Sequence, residues 1–284
     1  MLTVKHDPTS DRRGKLRQFV HKRTGIKLPA SKDLMIESRL RRRMSMRGAT
    51  TFDGYLDWLF DHGGLEEECE EIIDLLTTNK TDFFREASHF DFLMDRIVPE
   101  ALARGRHDRP IRFRLWSAAS STGAEAWTAA MLLARASLAA PRLDWAILGT
   151  DISRAVVDQA NRAIYPESDL MPVPRELRDS YIMNGRQAGR PAGRIVPELR
   201  ARVRFGNLNL MEAPYPVETG LDVVFLRNVL IYFEPAVQNH VIRATSAHLR
   251  PGGYLIVGHS ESMTVRQDGL YQITPGVFRK QGES

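Results

Sequence analysis

The 284-residue chain has a single cysteine, Cys69. One thiol forms no internal disulfide and no thiolate cage for a metal, which fits a reducing cytoplasm. No run approaches the ~18 uncharged apolar residues of a membrane span. The most apolar helical stretch, residues 126–140, is broken by Arg135. The first residues, MLTVKHDPTSDRRGK, lack the apolar core of a secretory signal. The eight histidines are scattered without metal-ligand spacing, so no metal is expected. Two phosphate-binding signatures are missing as well, Gly-x-x-x-x-Gly-Lys-Ser/Thr and Gly-x-Gly-x-x-Gly.

Charge is present and unevenly placed. The net charge is +5, yet residues 1–47 hold fourteen Lys or Arg against four Asp or Glu. Residues 51–75 hold nine acids and no Lys or Arg. Such segregation suggests a basic docking face for an acidic partner. The alternative is that the two segments pair with each other.

The first 85 residues read as short helices. Leu16, Phe19 and Val20 form one apolar stripe, ended by Gly25. Ser31 is placed to cap a second helix carrying Leu34, Ile36, Leu40 and Met44. Phe52, Tyr55, Leu56 and Leu59 recur at i, i+3, i+4, i+7, and Leu65, Cys69, Ile72, Ile73 and Leu76 mark a fourth helix. A helix over residues 90–103 follows, and then the period changes. Residues 111–117, 145–150, 203–206, 221–227, 254–258 and 276–279 read as strands. Helical segments 123–140, 153–163 and 235–249 lie between them, which argues for a mostly parallel sheet covered on both faces. Residues 165–202 break the rhythm and read as an insertion, either a small antiparallel subdomain or a long loop.

The stretch RLWSAASSTGAEAWTAA, residues 114–130, runs from strand through small residues to a helix. Ala118, Ala119, Ser120 and Ser121 let a ligand approach the backbone there. The next strand ends in GTDIS, with Asp151 at its carboxyl edge, where an acid can accept both hydroxyls of a ribose. With no pyrophosphate signature, a nucleoside such as S-adenosylmethionine fits best. An ordinary turn with a helix-capping Asp is the competing reading.

Three further motifs are TTNKTDFFRE (77–86), FLRNVLIYF (225–233) and LRPGGYLIVGHSE (249–261). In this order, with WSAASSTGAE and GTDIS and behind a basic helical region, they closely resemble the CheR family of chemotaxis receptor glutamate O-methyltransferases. The resemblance covers nearly the whole chain. It implies an α/β, Rossmann-like S-adenosylmethionine-dependent methyltransferase domain with a small antiparallel β insertion, preceded by an all-α domain. The expected divisions are 1–85 for the basic helical domain that docks the receptor, 86–110 for a linker helix and 111–284 for the methyltransferase domain. Cofactor contacts carried over by motif are Asn79, Thr81, Arg85, Ala118, Glu125, Asp151, Asn207, Leu208, Asn209, Asn228 and Val229. Arg85 and Tyr232 are expected to face the transferred methyl and the substrate carboxylate. The family's Gly-Glu-Glu-Pro-Tyr is here Gly123-Ala124-Glu125-Ala126-Trp127, so one carboxylate and a proline are missing.

Read without the motif, Arg85 would be a surface ion pair with Glu86 or Asp82, and Tyr232 and Phe233 core aromatics. The expected partner is the cytoplasmic helical bundle of a chemoreceptor, met by Arg39, Arg41, Arg42, Arg43 and Arg47. A monomeric, cytoplasmic protein is expected, with neither nucleic acid nor membrane insertion involved. The strand end Asn228-Val229-Leu230-Ile231-Tyr232 lacks the paired prolines common in base-directed amino methyltransferases. The rival readings are a methyltransferase of this fold acting on RNA or a small molecule, and a non-catalytic receptor adaptor.

Overall fold

The computed structural model describes residues 8–104 and 109–282. Lys5, counted in the basic segment, and residues 105–108 lie outside the described residues.

Four helices come first: α1 (Pro8–Thr24), α2 (Asp33–Met46), α3 (Phe52–Asp61) and α4 (Gly64–Leu76). Their apolar stripes meet in one core of Leu16, Val20, Ile36, Leu40, Met44, Tyr55, Leu59 and Ile72, among others. Thr51 caps α3 by accepting from the Gly54 amide at 3.1 Å. Ser31 does not cap α2 as expected. It lies within a 3-10 turn, Ala30–Lys32, that runs into the helix.

The basic and acidic segments pair with each other. Arg12 meets Asp57 and Asp61, Arg13 meets Asp53, and Arg43 and Arg47 both meet Glu68. Glu68 is fully buried and also accepts from the Tyr55 hydroxyl at 3.0 Å. A buried carboxylate persists only when its lone pairs are filled, and two guanidiniums and a phenol fill them.

A helical stretch leads on: α5 (Ser88–Phe92), a π turn (Leu93–Ile97) and α6 (Val98–Arg104). Strands and helices then alternate as β1 (Ile111–Ala118), α7 (Ala124–Ala139), β2 (Leu143–Asp151) and α8 (Arg154–Arg162). The insertion contains β3 (Ile164–Pro166), α9 (Glu167–Leu170), α10 (Arg175–Tyr181), β4 (Ile182–Gln187) and β5 (Arg190–Ile195). After α11 (Pro197–Arg200) come β6 (Val203–Asn207), β7 (Leu221–Leu226), α12 (Pro235–Ala247), β8 (Leu249–Val257), β9 (Leu270–Thr274) and β10 (Val277–Lys280).

The large sheet has the order β6-β2-β1-β7-β8-β10-β9. Its first five strands are parallel, and β10 pairs antiparallel with both β8 and β9. Every residue of β7 is buried, as a central parallel strand covered on both faces requires. The insertion forms its own antiparallel sheet, β3-β5-β4, rather than a loop. Strand β9 was not expected. It is an edge strand with no buried residue, so its sequence carries no apolar alternation.

Candidate active site

The carboxyl edges of β1, β2, β6 and β7 open onto one cleft. Strand order reverses at β1, with β2 on one side and β7 on the other. Ligands of open α/β sheets sit at that reversal.

Behind β1 the chain turns through left-handed backbone at Ala119 (φ 65°), Ser121 (φ 51°) and Gly123 (φ 87°). A left-handed non-glycine residue costs about 1–3 kcal/mol, so its surroundings must hold it. Ser121 is held twice. Its amide donates to Asp151 Oδ2 at 2.8 Å, and its hydroxyl donates to the Asn79 carbonyl at 2.6 Å. Gly123 is required for space as well, since a Cβ there would lie 2.9 Å from both Ala160 Cβ and the Phe205 ring. Ser120 Oγ is buried, lines the cleft and has no hydrogen-bond partner.

Asp151 is 6% exposed and also accepts from the Ser153 amide at 3.0 Å. Burial pushes its carboxyl above the usual range, against the pull of the amides of Ser153, Ser121 and Ile152.

The segment after α4 forms a second wall, with Thr77, Asn79, Thr81 and Arg85 lining the cleft. Arg39 of α2 holds this segment at its root. Its Nη1 donates to the carbonyls of Leu75, Leu76 and Thr77 at 2.9–3.3 Å, the free carbonyls of a helix C-terminus. Arg85 stands between two left-handed residues, Phe84 (φ 57°) and Glu86 (φ 53°). Its Nη1 donates to the Lys80 carbonyl at 3.1 Å.

Arg227, at the end of β7, locks this segment to the sheet. Its side chain is 1% exposed. Nη1 donates to Glu125 Oε2 at 2.8 Å, and Nη2 to the Arg85 carbonyl and to Glu86 Oε2. Glu125 Oε1 accepts from Ser117 Oγ at 2.7 Å. Burial raises the Glu86 carboxyl, but the Asn228 hydrogen bond and Arg227 outweigh it, so its pKa lies below the usual carboxylate value.

The third wall is the loop 227–233. Asn228 is left-handed (φ 58°). Glu261, itself buried, accepts from the amides of Asn228 and Gly258 at 2.7 Å each and from Ile231 at 3.2 Å. Val229 and Tyr232 line the cleft above this buried carboxylate. The first helices close the remaining side. Thr24 and Ile26 line the cleft, the Lys27 amide donates to the Tyr232 carbonyl at 3.1 Å, and Asn209 Nδ2 donates to the Arg23 carbonyl at 2.8 Å.

Residues 79–277 match the family description "CheR methyltransferase, SAM binding domain", and residues 14–77 match "CheR methyltransferase, all-alpha domain". The chain belongs to the CheR methyltransferase family.

It is 34% identical over 274 residues to a chemotaxis protein methyltransferase of Borreliella burgdorferi, covering 96% of this chain and 95% of that protein. A chemotaxis protein methyltransferase of Escherichia coli is 36% identical over 252 residues, covering 88% and 84%. Chemotaxis protein methyltransferase 2 of Pseudomonas aeruginosa is 36% identical over 247 residues, covering 87% and 85%.

Of the residues that the CheR motifs single out, Asn79, Thr81, Arg85, Glu125, Asp151, Leu208, Asn209, Asn228, Val229 and Tyr232 all line the one cleft. Ala118 does not line it. It is buried in the core beneath the loop, and its neighbours Ala119, Ser120 and Ser121 face the cleft instead. Asn207 does not line it either. Its Nδ2 is bound to the carbonyls of Asp151 and Ile152 at 3.0 and 2.7 Å, which fixes the end of β2.

The five arginines expected to meet a receptor divide. Arg41, Arg42 and Arg47 are exposed, and of these Arg47 is ion-paired with Glu68. Arg39, Arg43 and Arg47 are turned to partners within the CheR all-alpha domain or its exit, as described above.

Arg227, Glu86 and Glu261 were missed as site residues. All three stand inside the CheR motifs, but each acts through contacts over 33 to 142 positions of sequence.

Proposed function

We propose that this chain transfers a methyl group from S-adenosylmethionine to glutamate side chains of chemoreceptors, giving glutamyl methyl esters for sensory adaptation. One observation supports it above the rest: Arg85, Tyr232 and Asp151 line a single cleft at the sheet's switch point. The cleft's own donors and acceptors fit the cofactor. Asp151 offers carboxylate lone pairs for ribose hydroxyls, and the unpartnered Ser120 Oγ offers a further polar contact. Asn79, Thr81, Glu125, Asn209 and Asn228 surround them with amides, a hydroxyl and a carboxylate suited to a zwitterionic amino-acid tail.

When bound, S-adenosylmethionine supplies a methyl group activated by a sulfonium, and the acceptor oxygen gains that methyl as the sulfur becomes a thioether. The chain's residues need remove no proton, because a glutamate with a pKa near ~4.3 is already ionised at neutral pH. Their task is placement. Arg85 has one edge of its guanidinium on the Lys80 carbonyl. The remaining donors are free to hold one carboxylate oxygen while the other faces the methyl. Tyr232 directs a hydroxyl at the same region, and the left-handed residues around Arg85 fix its approach. Positioning of this kind is worth up to ~7–11 kcal/mol in the best intramolecular cases.

In this reading residues 1–85 dock the receptor, 86–110 link and 111–284 carry the chemistry, and the protein works in the cytoplasm as a monomer. Arg41 and Arg42 are the docking contacts for an acidic receptor bundle, which makes binding salt-sensitive.

The test is incubation with tritiated S-adenosylmethionine and the organism's receptor membranes, with Arg85→Ala and Asp151→Ala as controls. The expected result is alkali-labile label on receptor protein, released as methanol and lost in both variants. Label that survives mild alkali, or equal label in all three proteins, overturns the reading.

A further inference from the structure

Beside Arg85, and outside the methyl-transfer chemistry, Glu86, His89 and His259 bring potential metal-ligand atoms within 4.8 Å of one another. Glu86 Oε2 lies 3.4 Å from His89 Nδ1 and 4.0 Å from His259 Nδ1. The two imidazole rings are 4.5 Å apart and tilted by 55°.

His89 is the unusual member. It is 2% exposed, and neither ring nitrogen has a hydrogen-bond partner. Buried polar atoms are nearly always paired, and leaving one unsatisfied costs about 1–3 kcal/mol. Between this imidazole nitrogen and the Glu86 oxygen 3.4 Å away, a cation satisfies both.

The geometry suits a small, tetrahedral ion. With bonds of about 2.0–2.2 Å, neighbouring ligands of tetrahedral zinc lie roughly 3.3–3.5 Å apart. The Glu86–His89 pair already meets that spacing, and His259 Nδ1, 4.0 Å from Glu86 Oε2, has to draw closer. His259 is partly held by its other nitrogen, which pairs with Ser88 Oγ at 3.2 Å, the outer-shell contact usual for a ligating histidine.

Charge is also favourable. Glu86 and Glu125 together outweigh Arg227, and the open cleft beside His89 and His259 is lined by two acids, Asp91 and Asp95, against one cation, Arg96. Glu86 Oε2 accepts from Arg227 Nη2 at 3.2 Å and from the His259 amide at 3.3 Å, so an ion takes the place of one of these contacts.

We propose that Glu86, His89 and His259 form a binding site for a divalent cation of the zinc class, with water from the adjacent cleft completing the tetrahedron. The site departs from the expectation of no metal because His89 and His259 stand 170 positions apart in the chain. It ties the segment that carries Arg85 to the turn after β8.

Chelator-stripped full-length protein should take up one zinc per chain in calorimetric titration with zinc chloride. Cobalt(II) should give the intense visible band of a four-coordinate ion. His259→Gln, a change at a half-exposed ring, and His89→Gln should each weaken uptake by about tenfold or more. Cys69→Ser, which removes the one thiol, should not. Metal-free melting temperatures establish that each variant folds. No uptake by the stripped wild-type protein, unchanged affinity in folded His259→Gln, or uptake lost in Cys69→Ser overturns the proposal.

Discussion

Arg227 and Glu125 are joined at 2.8 Å across the floor of the cleft, and the same guanidinium reaches the Arg85 carbonyl. One buried side chain thereby sets the distance between the sheet and the segment that presents Arg85. Arg227→Met is expected to leave Glu125 and Glu86 buried without their counter-charge, at about 3–5 kcal/mol of stability. The surviving folded protein should lose about 100-fold in methyl transfer, the usual effect of a small misplacement of a positioning group. Thermal melts and single-turnover label transfer measure the two effects separately.

Asp151→Asn removes the charge while keeping one oxygen for a backbone amide. The affinity for S-adenosylhomocysteine should fall by about 10- to 100-fold, the worth of one to two hydrogen bonds to a charged acceptor. Calorimetric titration checks this, and an unchanged affinity would remove Asp151 from the ribose.

Glu68 gives the helical domain a defined acid limit. Burial alone would raise its pKa, but hydrogen bonds from Arg43, Arg47 and Tyr55 outweigh burial and hold the folded value below the usual range. A depressed folded pKa contributes stability that is complete above the unfolded value near ~4.3 and is lost as pH falls through the folded one. Glu68→Gln should be destabilised at neutral pH, and the gap to wild type should shrink as pH drops below about 4. Urea unfolding across that range measures it.

The basic residues of α2 separate by role. Arg41→Glu with Arg42→Glu should weaken receptor methylation and flatten its salt dependence while leaving the melting temperature within about 1–2 °C. Arg43→Ala should instead lower the melting temperature, because it strips a partner from buried Glu68. Arg39→Ala should raise KM for S-adenosylmethionine by loosening the Thr77–Asn79 wall, with partial rescue by Arg39→Lys.

The alternation of strands and helices, the order of the motifs and the buried stripes of the first four helices were legible because each is a local pattern. Phe52, Tyr55, Leu56 and Leu59 announce their helix by spacing alone, and all four are buried. Charge partners were not legible. Glu68 stands in a run of acids and looks solvated, yet it is the one that Arg43, Arg47 and Tyr55 enclose. Within the motifs, sequence could not tell a residue that faces the cleft from one that supports it. Asn209 and Asn207 are two positions apart, and only Asn209 lines the cleft. Strand β9 escaped notice because an edge exposed on both sides has no reason to alternate.

Thr24 and Ile26 belong to the first helical domain, yet they form part of the wall around the cleft. A nucleoside resting there touches both halves of the molecule, so its binding energy becomes cohesion between them. At a hundredfold excess over the dissociation constant that cohesion amounts to ~2.7 kcal/mol. The spent cofactor should therefore fuse two melting steps into one, and a catalytic half cut free of its helices should hold its ligand poorly.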